Sequence, residues 1–169
     1  MSLKKIKYVD EVLAPSWAIK IKYEGQTPSA AIDILKEIAK RRFRISSKFW
    51  FEDKFLFVDV GDDYELDATW SAKNKLDRYT KYSFKIEFSM KEGKKSRMGS
   101  FTLALKPSIE TSFSYGNFLQ RIFYTIFMRM FYYKQRRKYM ETLKEWALDF
   151  KKDMLDAFGT NAHEILEEI

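Results

Sequence analysis

The residues best suited to acid–base or metal chemistry are a run of carboxylates between positions 59 and 67. They are Asp59, Asp62, Asp63, Glu65 and Asp67. Such residues could supply paired carboxylates or a hard-metal site at a strand–turn–strand corner. Their spacing does not match an EF-hand loop, and the Gly-Asp-Asp of positions 61–63 is also ordinary turn chemistry. We therefore interpret the run as a turn and predict no metal site there.

Other bases, nucleophiles and soft metal ligands are few. The chain has no cysteine, and its one histidine, His163, lies in an acidic terminal segment without a nearby catalytic partner. The sequence contains no glycine-rich phosphate loop and no serine or threonine with an adjacent base. It therefore predicts no catalytic residue and no cofactor, although groups that only the fold brings together would leave no local pattern.

Basic residues form a second group with chemical potential. The formal charge of +7 arises from 31 basic and 24 acidic residues and favours anionic partners. Lys94, Lys95 and Arg97 lie at the tip of a predicted hairpin, where they could grip phosphates or simply keep a turn solvated. Lysines on the polar faces of predicted strands could form a basic sheet face for nucleic acid. The aromatic residues of those strands, however, are predicted to point into the core.

The strongest candidate surface is the segment Asn117–Lys138, which contains neither Gly nor Pro. On a helix of about 100° per residue, Arg121, Arg129 and Arg136 share one narrow stripe. Nearly everything else in the first four turns is apolar or aromatic, including Phe123, Phe127 and Phe131. Because a soluble helix usually shows the reverse pattern, this segment must be covered by its own domain, a partner, a ligand or a membrane.

The elements that would position these residues are strands and two helical regions. Residues 17–23 and 64–70 alternate between apolar and polar types, which predicts strands with one wet face. Residues 55–60 are apolar on both faces, which predicts a strand covered on both sides. Residues before Pro15 are predicted to be irregular, and residues 71–78 are predicted to form a loop.

The clearest pattern is a hairpin of residues 81–90 and 101–105 around a turn at 92–95. Its strands carry apolar residues on one face and polar residues on the other. The apolar face comprises Tyr82, Phe84, Ile86, Phe88, Phe101 and Leu103. We expect this face to line the interior.

Two helical regions accompany the strands. Thr27 as N-cap and Pro28 as first residue predict a helix that ends near Arg42. Residues 117–158 form a helical tail for which Gly159 is a plausible stop. The apolar side of the tail changes across Arg136–Lys138. We therefore predict either a bend there, or a first half packed on the sheet and a second half packed elsewhere.

Together these elements predict one α+β domain over residues 1–169. We expect a curved antiparallel sheet of five to seven strands, one helix after the first strand, and a long C-terminal helix packed on the sheet. This order resembles the helix-grip arrangement of START-like lipid carriers. The resemblance lies in the order of elements alone, and no ligand residue follows from it. It implies an apolar or amphipathic ligand held between the sheet and the C-terminal helix.

Our first functional prediction is therefore a non-catalytic binding domain for a hydrophobic small molecule. The alternative is a surface-interaction protein that docks the helix of residues 117–138 on a second copy, a partner or an anionic membrane surface. Nucleic-acid binding through a basic sheet face is the third hypothesis.

The hydropathy pattern predicts no membrane-spanning helix. No run of about 18 apolar residues occurs, and Arg121 and Arg129 interrupt the most apolar stretch. The absence of cysteine and of a secretory signal pattern predicts a cytoplasmic protein, with peripheral membrane association as a further hypothesis.

Overall fold

A computed structural model describes residues 3–166 of the chain. Seven antiparallel strands form one open sheet, and the helices cover one of its faces. The strands are β1 (Lys4–Glu11), β2 (Ile19–Gln26), β3 (Trp50–Val60), β4 (Asp63–Lys75), β5 (Thr80–Gly93), β6 (Met98–Tyr115) and β7 (Ala162–Glu164). The predicted α+β class and the predicted strand number are confirmed.

The sheet has the order β3-β4-β5-β6-β2-β7, and β1 also pairs with β6. β6 is long enough to take two partners along one edge: β2 pairs with residues 98–105 and β1 with residues 108–115. Pro107, which has no backbone N–H, lies where one partner ends and the other begins. The position of this proline is therefore compatible with a central strand.

The predicted hairpin is the centre of the sheet. β5 alternates between buried and less buried residues along its whole length, and it pairs in continuous register with β6. The six residues of the predicted apolar face are all buried. The hairpin is confirmed because its alternation matches the two-residue period of a half-buried strand.

Several strand boundaries differ from the prediction. β1 and β7 were not predicted, since each is recognisable mainly by its pairing with a strand distant in sequence. His163 therefore lies in a short strand. Residues 71–75 extend β4 and are not a loop. The prediction that residues 55–60 are covered on both faces is wrong, because β3 is an edge strand whose side chains are largely exposed.

A helix, α1 (Ala31–Arg42), follows β2 and ends where the sequence predicts. Thr27 occupies the predicted N-cap position, directly before a 3-10 turn (Pro28–Ala30) that begins at the predicted Pro28. Its backbone is left-handed (φ 50°), however, and its side chain makes no capping hydrogen bond. The backbone N–H of Ser29 instead donates to the buried Glu92 of β5 at 2.9 Å. A sheet carboxylate thus satisfies an N–H group at the start of the helical region.

The helical tail consists of α2 (Phe118–Phe127), a π-helical turn (Met128–Tyr132) and α3 (Tyr133–Phe158). Asn117 caps the tail by accepting from the Gln120 N–H at 2.8 Å, and Gly159 ends it with a φ of 65°. The predicted long C-terminal helix is confirmed. The prediction that the first half of the tail packs on the sheet is wrong, because the second half lies on the sheet and the first half is largely exposed.

The core lies between the sheet and α1 and α3. The side chains that α3 contributes are Leu143, Ala147, Phe150 and Met154, all nearly inaccessible to solvent. Aromatic rings fill the layer: Phe43 lies 4.5 Å from Phe84 and 6.3 Å from Phe150 between ring centroids. These residues pack α3 on the sheet. The second half of the tail therefore has its apolar side where the first half is predicted to have its arginine stripe.

Candidate interaction surface

A small aromatic cluster positions α2 at the end of the sheet. Phe113 of β6, Met128 and Tyr132 form its buried centre. The ring of Tyr124 stacks on Phe113 at 5.1 Å, and Tyr79 approaches the same ring at 4.9 Å. One edge of α2 is therefore anchored to the sheet, while the rest of the helix projects beyond it.

The remaining circumference of α2 and the π-helical turn is an apolar surface that we name the α2 face. It comprises Phe118, Leu119, Ile122, Phe123, Ile126, Met130 and Phe131, which are 40–75% exposed. The half-buried Phe127 links the α2 face to the anchoring cluster, since its ring stacks on Phe123 at 6.1 Å and on Phe131 at 6.3 Å. The exposed rings are thus held in a fixed row.

The α2 face is the apolar part of the segment 117–138, which the sequence predicts to be shielded from water. Within residues 3–166, its own domain does not provide this shielding. Monomeric soluble proteins rarely expose a contiguous apolar patch of more than a few hundred Å² unless it binds something. The exposure of a preordered aromatic row therefore identifies α2 as the main candidate interaction surface.

A carboxylate network fixes the π-helical turn. Asp77, at the β4–β5 connection, accepts hydrogen bonds from the hydroxyls of Tyr132 at 2.5 Å and Tyr139 at 3.0 Å. Its other oxygen accepts from the N–H groups of Tyr79 and Thr80. Burial acts to raise the pKa of Asp77, but these hydrogen bonds outweigh it and hold the pKa below its ordinary value.

The same network raises the pKa of Tyr132, through burial first and through its hydrogen bond to Asp77 second. Sequence analysis missed this group, because the two tyrosines lie 55 and 62 residues from Asp77. The change of apolar side along the tail is the sequence signal that accompanies the π-helical turn. Such turns often mark functional segments of helices.

The predicted arginine stripe is divided. Arg121 and Arg129 are exposed beside the α2 face, whereas Arg136 is buried. Arg136 forms an ion pair with Asp10 and donates to the Thr111 hydroxyl at 3.0 Å. A π-helical turn holds more residues than an α-helical turn, so it changes the angular position of everything after it. The stripe drawn on a regular helix therefore does not reach Arg136.

The charge around the α2 face has one sign over a long stretch of sequence. Between Glu110 and Glu141 the chain contains no Asp or Glu. The basic residues in this interval are Arg121, Arg129, Lys134, Arg136, Arg137 and Lys138. Apart from the buried Arg136 they are exposed, and Arg137 lies 3.4 Å from Glu141. The apolar face is thus bordered by cationic side chains.

The other candidate basic sites are engaged in local ion pairs. At the predicted basic tip, Lys94 pairs with Asp59, and Arg97 lies 2.9 Å from the buried Glu92; Lys95 is exposed. On the outer sheet face, the cations alternate with carboxylates. The pairs there are Lys81–Glu110, Lys85–Glu87, Lys106–Glu87 and Lys22–Glu24. This alternation reduces the net positive field of the sheet.

The acidic run lies at the β3–β4 turn and along β4. Its carboxylates bind lysine and serine side chains: Asp63 lies 3.3 Å from Lys91, and Asp67 accepts from Ser89 at 2.6 Å. Among residues 3–166, no group of three or more His, Asp or Glu side chains is placed to hold a metal ion. Within the same described range, no helix is both long and apolar enough to cross a membrane.

Comparisons with known proteins add no functional information. No protein-family model and no curated protein matches the chain. Among solved structures, a delta-endotoxin is similar over 68% of this chain and 65% of the toxin chain, with 11% sequence identity and a TM-score of 0.31. This likeness is too low to indicate a shared fold or function.

Proposed function

We propose that the protein is a binding module that attaches to anionic lipid surfaces through the α2 face. The observation that carries this proposal is the exposed aromatic row of α2, bordered by basic residues in an interval free of Asp and Glu. A helix with an aromatic face and a basic border is suited to lie in the plane of a membrane interface. The α2 face is therefore the attachment site in this proposal.

The apolar part supplies most of the binding free energy. Full burial of one large apolar side chain contributes about 1.5–3 kcal/mol. Seven such side chains line the α2 face, and each is already at least 40% exposed. Insertion of only a few of them would reach the roughly 8 kcal/mol of a micromolar complex. Because the rings of Phe123 and Phe131 stack on Phe127, these two side chains lose little entropy on binding.

The basic border supplies the preference for anionic surfaces. Each Lys or Arg near such a surface contributes about 1 kcal/mol, and added salt weakens this contribution. Arg121 and Arg129 lie on α2 and the π-helical turn, and Lys134 follows on the next turn. Two copies docked face to face would instead bring these cations together, which disfavours self-association through the α2 face.

The prediction of a ligand held between the sheet and the C-terminal helix remains a prediction. We favour the α2 face because ring contacts such as Phe43–Phe84 occupy that layer. The prediction of a nucleic-acid site on the outer sheet face also remains open. The paired lysines there give it less support than the exposed Arg121 and Arg129 give to the α2 face.

Vesicle binding tests the proposal. The protein would be titrated with phosphatidylcholine vesicles and with phosphatidylcholine–phosphatidylserine vesicles, each at low and high salt. We expect preferential binding to the anionic vesicles, weakened by salt. Phe123→Ser should reduce this affinity by about tenfold or more.

Trp17→Ser is the matched control, because Trp17 is 67% exposed and lies outside the helical tail, while Phe123 is 62% exposed. This variant should bind as the wild type does. Equal binding of both variants, or no binding of the wild type to anionic vesicles, would contradict the proposal.

A further inference from the structure

The sheet has a second uncovered apolar region, at its β3 edge. Within residues 3–166, β4 is the only strand that pairs with β3, so the other side of β3 presents unpaired backbone groups. Its exposed side chains are Phe51, Phe55, Leu56, Phe57, Val58 and Val60. Long apolar edge strands of this kind are sites where another strand adds to a sheet.

The apolar residues of β3 occupy both faces of the sheet. Phe57 lies opposite the buried Leu66 of β4, and so shares the face that the helices cover. Leu56 lies opposite Asp67 and so shares the outer face. A strand with this pattern is typical of the interior of a sheet, where neighbours on both sides shield its side chains.

We propose that a second copy of this chain pairs with β3 through its own β3, antiparallel and centred on Phe57. The occupant must be a strand, because only a strand satisfies the backbone groups along the whole edge. A two-fold axis normal to the sheet makes this contact isologous: if one residue of the first copy contacts another residue of the second copy, the reverse contact also forms. The result is one continuous sheet across both copies.

The register follows from charge and side-chain type. Centred on Phe57, the pairing sets Phe57 against itself, Leu56 against Val58 and Lys54 against Val60. Centred one residue earlier, on Leu56, it would bring Asp59 beside Asp53, which lies at an irregularity of β3 between Glu52 and Lys54. Like charges on neighbouring strands are destabilising. In the Phe57 register Asp59 lies opposite Phe55, and its charge is balanced by the ion pair with Lys94.

The exposed apolar area of β3 sets the scale of the contact. Phe side chains carry about 150–250 Å² each, so six large side chains that are roughly half exposed leave on the order of 500 Å² on each copy. The total of about 1,000 Å² is an upper limit on the side-chain area that the contact buries, and backbone pairing adds to it. The two-fold axis also keeps the helical layers of both copies on the same side of the joined sheet.

Cross-linking tests the register directly, because the chain contains no native cysteine. In Phe57→Cys, the two introduced thiols would lie opposite each other, with Cα atoms about 4.5–5.5 Å apart, which a disulfide can span. We expect a disulfide-linked dimer under mild oxidation. Lys85→Cys, on the outer face of the central β5, is the control and should remain monomeric on a denaturing gel.

A second measurement separates this contact from the α2 face. By sedimentation equilibrium at micromolar concentration, we expect the wild type and Phe123→Lys to be dimers and Phe57→Lys to be a monomer. Phe57 is 52% exposed, so the latter variant should still fold and unfold in one cooperative thermal transition. Its vesicle binding should persist, because each monomer keeps one α2 face.

Three results would overturn the β3 proposal: a monomeric wild type, a Phe57→Lys protein that still dimerises, or a Phe57→Cys protein that does not cross-link. A monomeric wild type whose β3 instead binds an added strand peptide would assign the edge to a different partner. None of these results affects the α2 proposal, which vesicle binding by Phe123 variants tests separately.

Discussion

At the scale of single residues, Asp77 accepts four hydrogen bonds, two from the N–H groups of Tyr79 and Thr80 and two from tyrosine hydroxyls of the helical tail. Asp77→Asn removes the negative charge that these donors share, so we expect a loss of about 1–3 kcal/mol in the free energy of unfolding at neutral pH. Urea denaturation measures this loss. Asp62→Asn, in the exposed β3–β4 turn, is the control and should change little.

The effect of Asp77 should depend on pH. Its pKa in the folded protein lies below the value of about 3.9 expected for an unfolded chain. The stabilisation is therefore fully present above about pH 4 and is lost as the pH falls through the folded-state pKa. The difference between wild type and Asp77→Asn should shrink over that acid range. A constant difference would show that the network does not act through the carboxylate charge.

The arginines of the helical tail should differ in role. Arg136 is buried with Asp10 and Thr111, so Arg136→Gln should lower the free energy of unfolding by about 1–3 kcal/mol. Arg121 is exposed, and Arg121→Gln should change it by about 0–1 kcal/mol while weakening binding to anionic vesicles at low salt. Thermal unfolding and vesicle titration of both variants distinguish these roles. Equal destabilisation would contradict the division of the stripe.

At the scale of elements, the β5–β6 hairpin depends on a close approach at Gly99. A Cβ atom there would overlap the Lys91 carbonyl oxygen and lie 2.8 Å from the Glu92 Cα atom. Because backbone cannot yield as a side chain does, Gly99→Ala should destabilise the protein by about 1–3 kcal/mol. Gly116→Ala is the control, since its nearest neighbours would be 3.7 Å away. Equal unfolding midpoints would contradict this account.

The elements that sequence predicts well are those whose pattern is local. The β5–β6 hairpin alternates with a period of two, and α1 ends at the predicted Arg42. β1 was missed because its pairing with β6 joins residues about a hundred positions apart. β3 was placed in the interior because its composition is that of an interior strand. The composition of β3 carries no sign that, within residues 3–166, a strand pairs with only one of its two edges.

The candidate site was found in part. The aromatic residues that the sequence singles out in the segment 117–138 form the exposed α2 face, and a cover for this face stays a prediction. Arg136 does not belong to the predicted stripe, because the stripe requires a regular α-helix and the π-helical turn shifts the angular position of the residues after it. The carboxylate network at Asp77 has no sequence signal, since no local spacing connects an aspartate to tyrosines in another element.

At the scale of the whole molecule, two uncovered apolar regions lie at separate places. The α2 face projects from the end of the sheet beside β1 and β6, and β3 forms one lateral edge. Their chemistry differs: α2 has a basic border and no strand edge, whereas β3 offers unpaired backbone groups and a charge-free centre. A dimer joined at β3 would carry two α2 faces, so its apparent affinity for a vesicle would exceed that of a monomer.

The most direct test of the account is the environment of α2 on a membrane. Because the chain lacks cysteine, Ile126→Cys can be labelled uniquely with a nitrobenzoxadiazole fluorophore, and Lys85→Cys provides the control position on the outer sheet face. On addition of phosphatidylserine-containing vesicles, we predict a blue shift and higher emission for the label at position 126 and no change at position 85. Vesicle binding without a change at position 126, or with equal changes at both positions, would contradict attachment through the α2 face.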